Sequence, residues 1–139
     1  MKQKMLRLAV TCILTLTTPF VCAQQMEDGY TWTASSSFGD NFYIHYPSIQ
    51  FDKINPNLVY VWFKDTSTNS KNYTELRRVI DCSNLMSAIT NLTTFDGVGR
   101  AVSNGQFTIE FTATRPNSVG EMLYKAACTY KAYLQRVVP

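Results

Sequence analysis

The feature that most constrains this 139-residue chain is a change of hydrophobic period near Pro116. Before it, apolar side chains recur at every second position in short runs separated by turn residues. Beyond it they recur at every third and fourth position. The first period belongs to strands and the second to a helix. Strands followed by one helix predict an α+β arrangement, the helix laid on one face of the sheet.

The strand runs fall at residues 30–33 and 42–46, flanking a loop over 35–41, with Pro47 expected to stop the second. Residues 51–57 read as a turn region around Asn55, Pro56 and Asn57. Residues 58–64 are nearly all apolar or aromatic, which predicts a central strand buried on both faces. After a polar loop, residues 73–82 alternate: Thr74, Leu76, Arg78, Ile80 and Cys82 share one face, and Tyr73, Glu75, Arg77, Val79 and Asp81 the other. Residues 85–95 are again strand-like. Asp96 to Gly99 reads as a turn, and Asn104-Gly105 as a hairpin dipeptide, because both residues tolerate positive φ. Phe107, Ile109 and Phe111 against Gln106, Thr108 and Glu110 form the cleanest alternation of all and predict one more strand. Together these runs predict an antiparallel meander.

Ser118 stands three residues before Glu121, the capping-box spacing. Val119, Met122, Leu123, Ala126 and Tyr130 then form one helical stripe. The predicted helix runs from residue 119 to 130 or 134, with 136–139 frayed. Cys128 lies almost opposite the stripe, so the helix either ends or bends there or buries two faces.

The chain carries 13 Lys and Arg against 10 Asp and Glu, for a formal charge of +3. Three of those cations, Lys2, Lys4 and Arg7, precede a short apolar run, Pro19, and the small-residue ending Val21-Cys22-Ala23. This is the layout of a secretory signal peptide over residues 1–23. The apolar run is half the roughly 20 residues a membrane span needs. The expected product is one domain over residues 24–139. It is net neutral, and without a basic stripe it is unsuited to nucleic acid. The residues before Cys22 lack the small side chains that lipoprotein processing requires, so a lipid anchor is not expected. The expected location is then outside the cytoplasm. Removing the leader leaves Cys82 and Cys128, most simply one disulfide in an oxidising compartment.

Several segments together resemble the bacterial surface-adhesin protein E family. They are Tyr43-x-x-Tyr46-Pro47-Ser48-Ile49, the aromatic run from Val59 to Phe63, the strand from Tyr73 to Cys82, and the closing run from Pro116 to Cys128. They span most of residues 30–128. The resemblance implies an antiparallel sheet of about six strands, with a C-terminal helix held to its concave face by a Cys82–Cys128 disulfide. It also implies a homodimer and binding of host extracellular-matrix or plasma proteins.

No catalytic constellation is apparent. His45, the sole histidine, sits in a strand and reads as a surface or packing residue. Glu27/Asp28 and Glu75/Asp81 read as solvated charge. The Gly97-Val98-Gly99 turn lacks the helix and third glycine of a phosphate loop. Two distant thiols with one histidine do not make a zinc site. The sequons at Asn72 and Asn91 carry no meaning in a bacterial product. No cofactor and no metal are expected. What remains is recognition. Aromatic residues make up 13% of the chain, and Lys64, Lys71, Tyr73 and Arg77 cluster around one loop and strand as a candidate protein-binding patch. Arg78 shares the parity of Cys82 and is expected to point towards the helix. The expected function is an exported, non-enzymatic adhesin-like protein. The alternative is a periplasmic structural or accessory module that binds an envelope component. A small-ligand carrier using the space between helix and sheet finds no supporting polar cluster in the sequence.

Overall fold

A computed structural model describes residues 28–137; the expected leader at residues 1–23 lies outside the described residues. Seven strands and one helix follow in order: β1 (Tyr30–Ser35), β2 (Asp40–Phe51), β3 (Leu58–Ser67), β4 (Tyr73–Asp81), β5 (Met86–Phe95), β6 (Ala101–Gln106), β7 (Thr112–Ala113) and α1 (Val119–Val137). The first six pair sequentially and antiparallel, the predicted meander, and the two-residue β7 adds to β5 beside β6. The helix lies across β1, β2 and β3. From the sheet, Ile44, Val61, Phe63 and Ile80 meet Leu123, Tyr124 and Ala127 of the helix in the core. Each such large aliphatic or aromatic side chain contributes about 1.5–3 kcal/mol by leaving water. The disulfide joins Cys82, just past β4, to Cys128 of α1 across a sequence separation of 46 residues.

Pro47 does not end its strand: β2 continues to Phe51. A register shift between His45 and Gln50 accommodates it, because proline has no N–H for the ladder. The Ser48 hydroxyl takes over the lost pairing. It donates to the His45 carbonyl at 2.7 Å and accepts the Trp62 N–H at 3.0 Å. Strand β3 is likewise not buried on both faces. Val59, Val61 and Phe63 are fully buried, whereas Tyr60 and Trp62 between them are half-buried. The helix covers one face of the sheet, with Phe63 against it, and Tyr60 and Trp62 belong to the other.

Asn104-Gly105 is not a hairpin turn. Both residues lie inside β6, opposite Thr93 and Leu92. The reversal occurs at Asp96, whose carboxylate accepts the N–H groups of Val98 and Arg100 at 3.0 and 2.9 Å, with Gly99 at φ +81°. An aspartate that captures two backbone donors defines this turn more strongly than Asn-Gly defines one. The alternating segment from Phe107 to Phe111 forms no strand. Its first residue donates its N–H to the Thr90 carbonyl, then the chain runs exposed until β7.

The helix begins as predicted. Ser118 Oγ accepts the Glu121 N–H at 3.2 Å, and the Glu121 carboxylate accepts the Asn117 N–H at 2.7 Å. It runs on to Val137, beyond the predicted end. Its buried stripe is Leu123, Tyr124, Ala127 and Lys131, while Met122 is exposed. The inward face is therefore turned by about one residue, 100°, from the predicted one. This turn brings Cys128 to the margin of the buried face, so neither a bend nor a second buried face is needed. Buried Lys131 is unexpected; its ammonium donates to the Pro56 carbonyl in the β2–β3 connection.

Candidate functional site

Cross-strand partners share a face, so the register sorts every side chain to one side of the sheet. One row of neighbours on the helix-free side is His45, Trp62, Arg77, Asn91 and Gln106; the adjacent row is Tyr43, Lys64, Glu75, Thr93 and Asn104. Tyr60 and Tyr73 share this parity. Of the predicted patch, Lys64, Tyr73 and Arg77 therefore lie together on the helix-free face. Arg78 points the other way, as its parity predicted.

Arg77 is positioned on both sides. Its guanidinium stands 5.2 Å from the centre of the Tyr60 ring and donates to Gln50 Oε1 at 3.2 Å. Trp62 is its direct partner on β3. This arrangement presents a planar cation among aromatic edges, a combination suited to pairing with a partner's carboxylate or aromatic side chain.

Lys64 is differently placed. It is only 9% exposed, with its ammonium 3.2 Å from the Asp28 carboxylate. The Tyr73 ring lies 4.3 Å from the ammonium and the Tyr30 ring 5.5 Å. Tyr73 in turn stacks on Phe95 at 4.7 Å. Lys64 thus ties the entry of β1 to the middle of the sheet. Burial, followed by the charges of Glu75 and Asp28, pushes the Tyr30 phenol well above its ordinary pKa, so it stays neutral. Lys71 lies in the β3–β4 loop, its side chain packed against the backbone of Gly97 in the β5–β6 turn, at the same end of the sheet as Tyr73 and Phe95.

The other face holds a groove of about 290 Å³ between the start of α1 and the sheet, lined by Phe42, Phe63, Asp65, Leu76, Arg78 and Tyr124, among others. Arg78 donates to the Tyr124 hydroxyl at 3.0 Å, and buried Ser87 donates to the same oxygen at 2.7 Å. Burial pushes the Asp65 carboxyl up to about 6, with Arg78 opposing the shift. This polar cluster was invisible in the sequence, because Asp65, Arg78, Ser87 and Tyr124 meet only through strand register and helix rotation. The same holds for Tyr60, Trp62 and Gln50 around Arg77.

Among the described residues no group of three His, Cys, Asp or Glu side chains is placed to hold a metal ion, and no helix is long and apolar enough to cross a membrane.

No protein-family model matches the chain, and no curated protein matches it in sequence. Solved structures do match. The structure of Haemophilus influenzae protein E superposes with a TM-score of 0.55 at 17% identity, covering 82% of this chain and 92% of that one. A second crystal form of that protein gives 0.54 at 18% identity, with coverages of 87% and 98%. Protein E from non-typeable Haemophilus influenzae gives 0.55 at 16% identity, with coverages of 89% and 86%. The resemblance read from aromatic and cysteine spacing is therefore met in three dimensions: this chain has the protein E fold, an antiparallel six-stranded sheet with a C-terminal helix fastened to it by a disulfide.

Proposed function

We propose that this chain is an exported adhesin-like protein without enzymatic activity, which recognises a host extracellular-matrix or plasma protein through the helix-free face around Arg77. The observation that carries this reading is the Arg77 guanidinium, held over Tyr60 by Gln50 and paired with Trp62. Arginine and large aromatics supply most of the energy at protein interfaces. Here their positions are fixed by the sheet, so little order need be gained on binding. The protein E fold supports the reading, as does the leader-like start of the chain. Lys71 and Tyr73 extend the contact surface at one end of this face, with Lys64 as its internal support.

The test is a binding screen of the purified protein against matrix and plasma proteins and against cell-envelope fractions, repeated with Arg77→Ala. Capture by a matrix or plasma protein that weakens about tenfold or more in Arg77→Ala, with an unchanged melting temperature, supports the proposal. Capture by envelope fractions alone, together with resistance to protease added to intact cells, would instead make the protein a periplasmic accessory module.

A further inference from the structure

Beside Arg77 the helix-free face holds a trough of about 310 Å³, lined by Trp62 of β3, Asn91 and Thr93 of β5, and Asn104, Gly105 and Gln106 of β6. Trp62, Arg77, Asn91 and Gln106 form one cross-strand row, and Lys64, Glu75, Thr93 and Asn104 the next. The charged members of these rows are engaged elsewhere. Arg77 lies over Tyr60 and donates to Gln50, Lys64 meets Asp28, and Glu75 stands by the Tyr30 phenol, which it helps keep neutral. None of the three lines the trough. What remains is an indole on the β3 side facing three amides and a hydroxyl on the β5–β6 side. Trp62, Asn91 and Thr93 are half-buried, and Asn104 and Gln106 are exposed. Among the described residues none of these five side chains is hydrogen-bonded to the protein, so their donors and acceptors are open.

We propose that this trough binds an uncharged saccharide, its ring resting on the Trp62 indole and its hydroxyls exchanging hydrogen bonds with Asn91, Thr93, Asn104 and Gln106. The lining selects this chemistry by what each alternative would lack. An ion finds no counter-charge among the lining residues. An apolar ligand strips water from three amides and a hydroxyl and returns no hydrogen bond, which is costly. Amide and hydroxyl side chains both donate and accept, and so do the closely spaced hydroxyls of a sugar. The C–H groups on the face of a sugar ring carry slight positive charge and suit the negative face of an indole. Three strand spacings from β3 to β6 give about 14 Å, wide enough for a sugar ring between the indole and the amides. The site goes beyond the protein recognition assigned to Arg77 and does not depend on it.

Saturation-transfer NMR and calorimetry of the purified protein test this with oligosaccharides of galactose, glucose, mannose and N-acetylglucosamine, and with sialylated and sulfated ones as charged counterparts. At least one uncharged member is expected to bind with a Kd of about 1 mM or tighter. Trp62→Ala, Asn104→Ala and Gln106→Ala are each expected to weaken it about fivefold, and Arg77→Ala to leave it within about twofold. Melting curves confirm folding. Trp62 borders both Arg77 and the trough, so the exposed Asn104 and Gln106 variants decide the matter if Trp62→Ala does not fold. No binding by any uncharged member, tighter binding of the charged ones, or binding indifferent to both amide variants overturns the proposal, while protein capture that depends on Arg77 would stand. Competition by a matrix glycoprotein and by envelope polysaccharide distinguishes the two carriers of such a sugar. A glycoprotein that competes equally well after enzymatic removal of its glycans would assign the trough to polypeptide and overturn the saccharide reading.

Discussion

Arg78 and Tyr124, 46 residues apart in sequence, meet at 3.0 Å beneath the first turns of the helix, the guanidinium donating to the phenolic oxygen. Ser87 donates to that oxygen as well. One hydroxyl therefore links strands β4 and β5 to α1. Removing it in Tyr124→Phe leaves Ser87, 2% exposed, without that acceptor. The expected loss is about 1–3 kcal/mol, the cost of an unsatisfied buried polar group, measured by denaturant unfolding.

The disulfide should be the largest single contribution to stability. Closing a loop between Cys82 and Cys128, separated by 46 residues, is worth about 4 kcal/mol in the chain-entropy model. Reduction, or Cys82→Ala with Cys128→Ala, is expected to lower the melting temperature by roughly 10–20 °C. No change on reduction would show that the native protein does not depend on this link.

Asp65 gives stability a pH dependence of a definite sign. Burial raises its folded-state pKa from 3.8 to about 6. Its favourable contribution is thus fully present below the unfolded value and lost as pH rises through about 6. Asp65→Asn should remove this slope and stabilise the protein at pH 7–8 by about 1–2 kcal/mol. Unfolding of both proteins at pH 4 and pH 8 measures it, the difference between them growing with pH.

Lys64 and Arg77 should separate stability from recognition. Lys64→Met removes a buried ammonium from between two tyrosine rings and from Asp28. A loss of about 1–2 kcal/mol is expected, visible as a lower denaturant midpoint. Arg77→Ala should leave that midpoint within about 0.5 kcal/mol of the parent.

The meander, the helix and the cysteine pair were legible because each rests on a local signal: a hydrophobic period, a capping serine, or two thiols in an oxidising context. What could not be read depends on contacts between distant residues. Ser48 lets β2 pass through Pro47 only because Trp62 lies alongside it to donate. The helix shows Tyr124 rather than Met122 to the sheet because Arg78, Ser87 and Cys82 are the partners it finds there. Lys131 would not be sought in a buried stripe without the Pro56 carbonyl that receives it. The members of the candidate patch divide by role once register is known: Lys64, Tyr73 and Arg77 share the helix-free face, and Lys71 lies in the β3–β4 loop. Lys64 is buried among the aromatics of the helix-free face, and Tyr60 and Trp62 surround Arg77 unannounced. Phe107 to Phe111 looked like a strand since the pattern of a strand is present, yet after the Phe107 N–H bonds the Thr90 carbonyl the segment leaves the ladder.

Fastening the helix with Cys128, Tyr124 and Lys131 confines most of the anchoring to one side of the sheet. Side chains such as Arg77, Trp62, Asn91 and Thr93 on the other side can then be exchanged with little penalty to folding. A lineage bearing this architecture is free to vary that face quickly while the plate beneath stays the same.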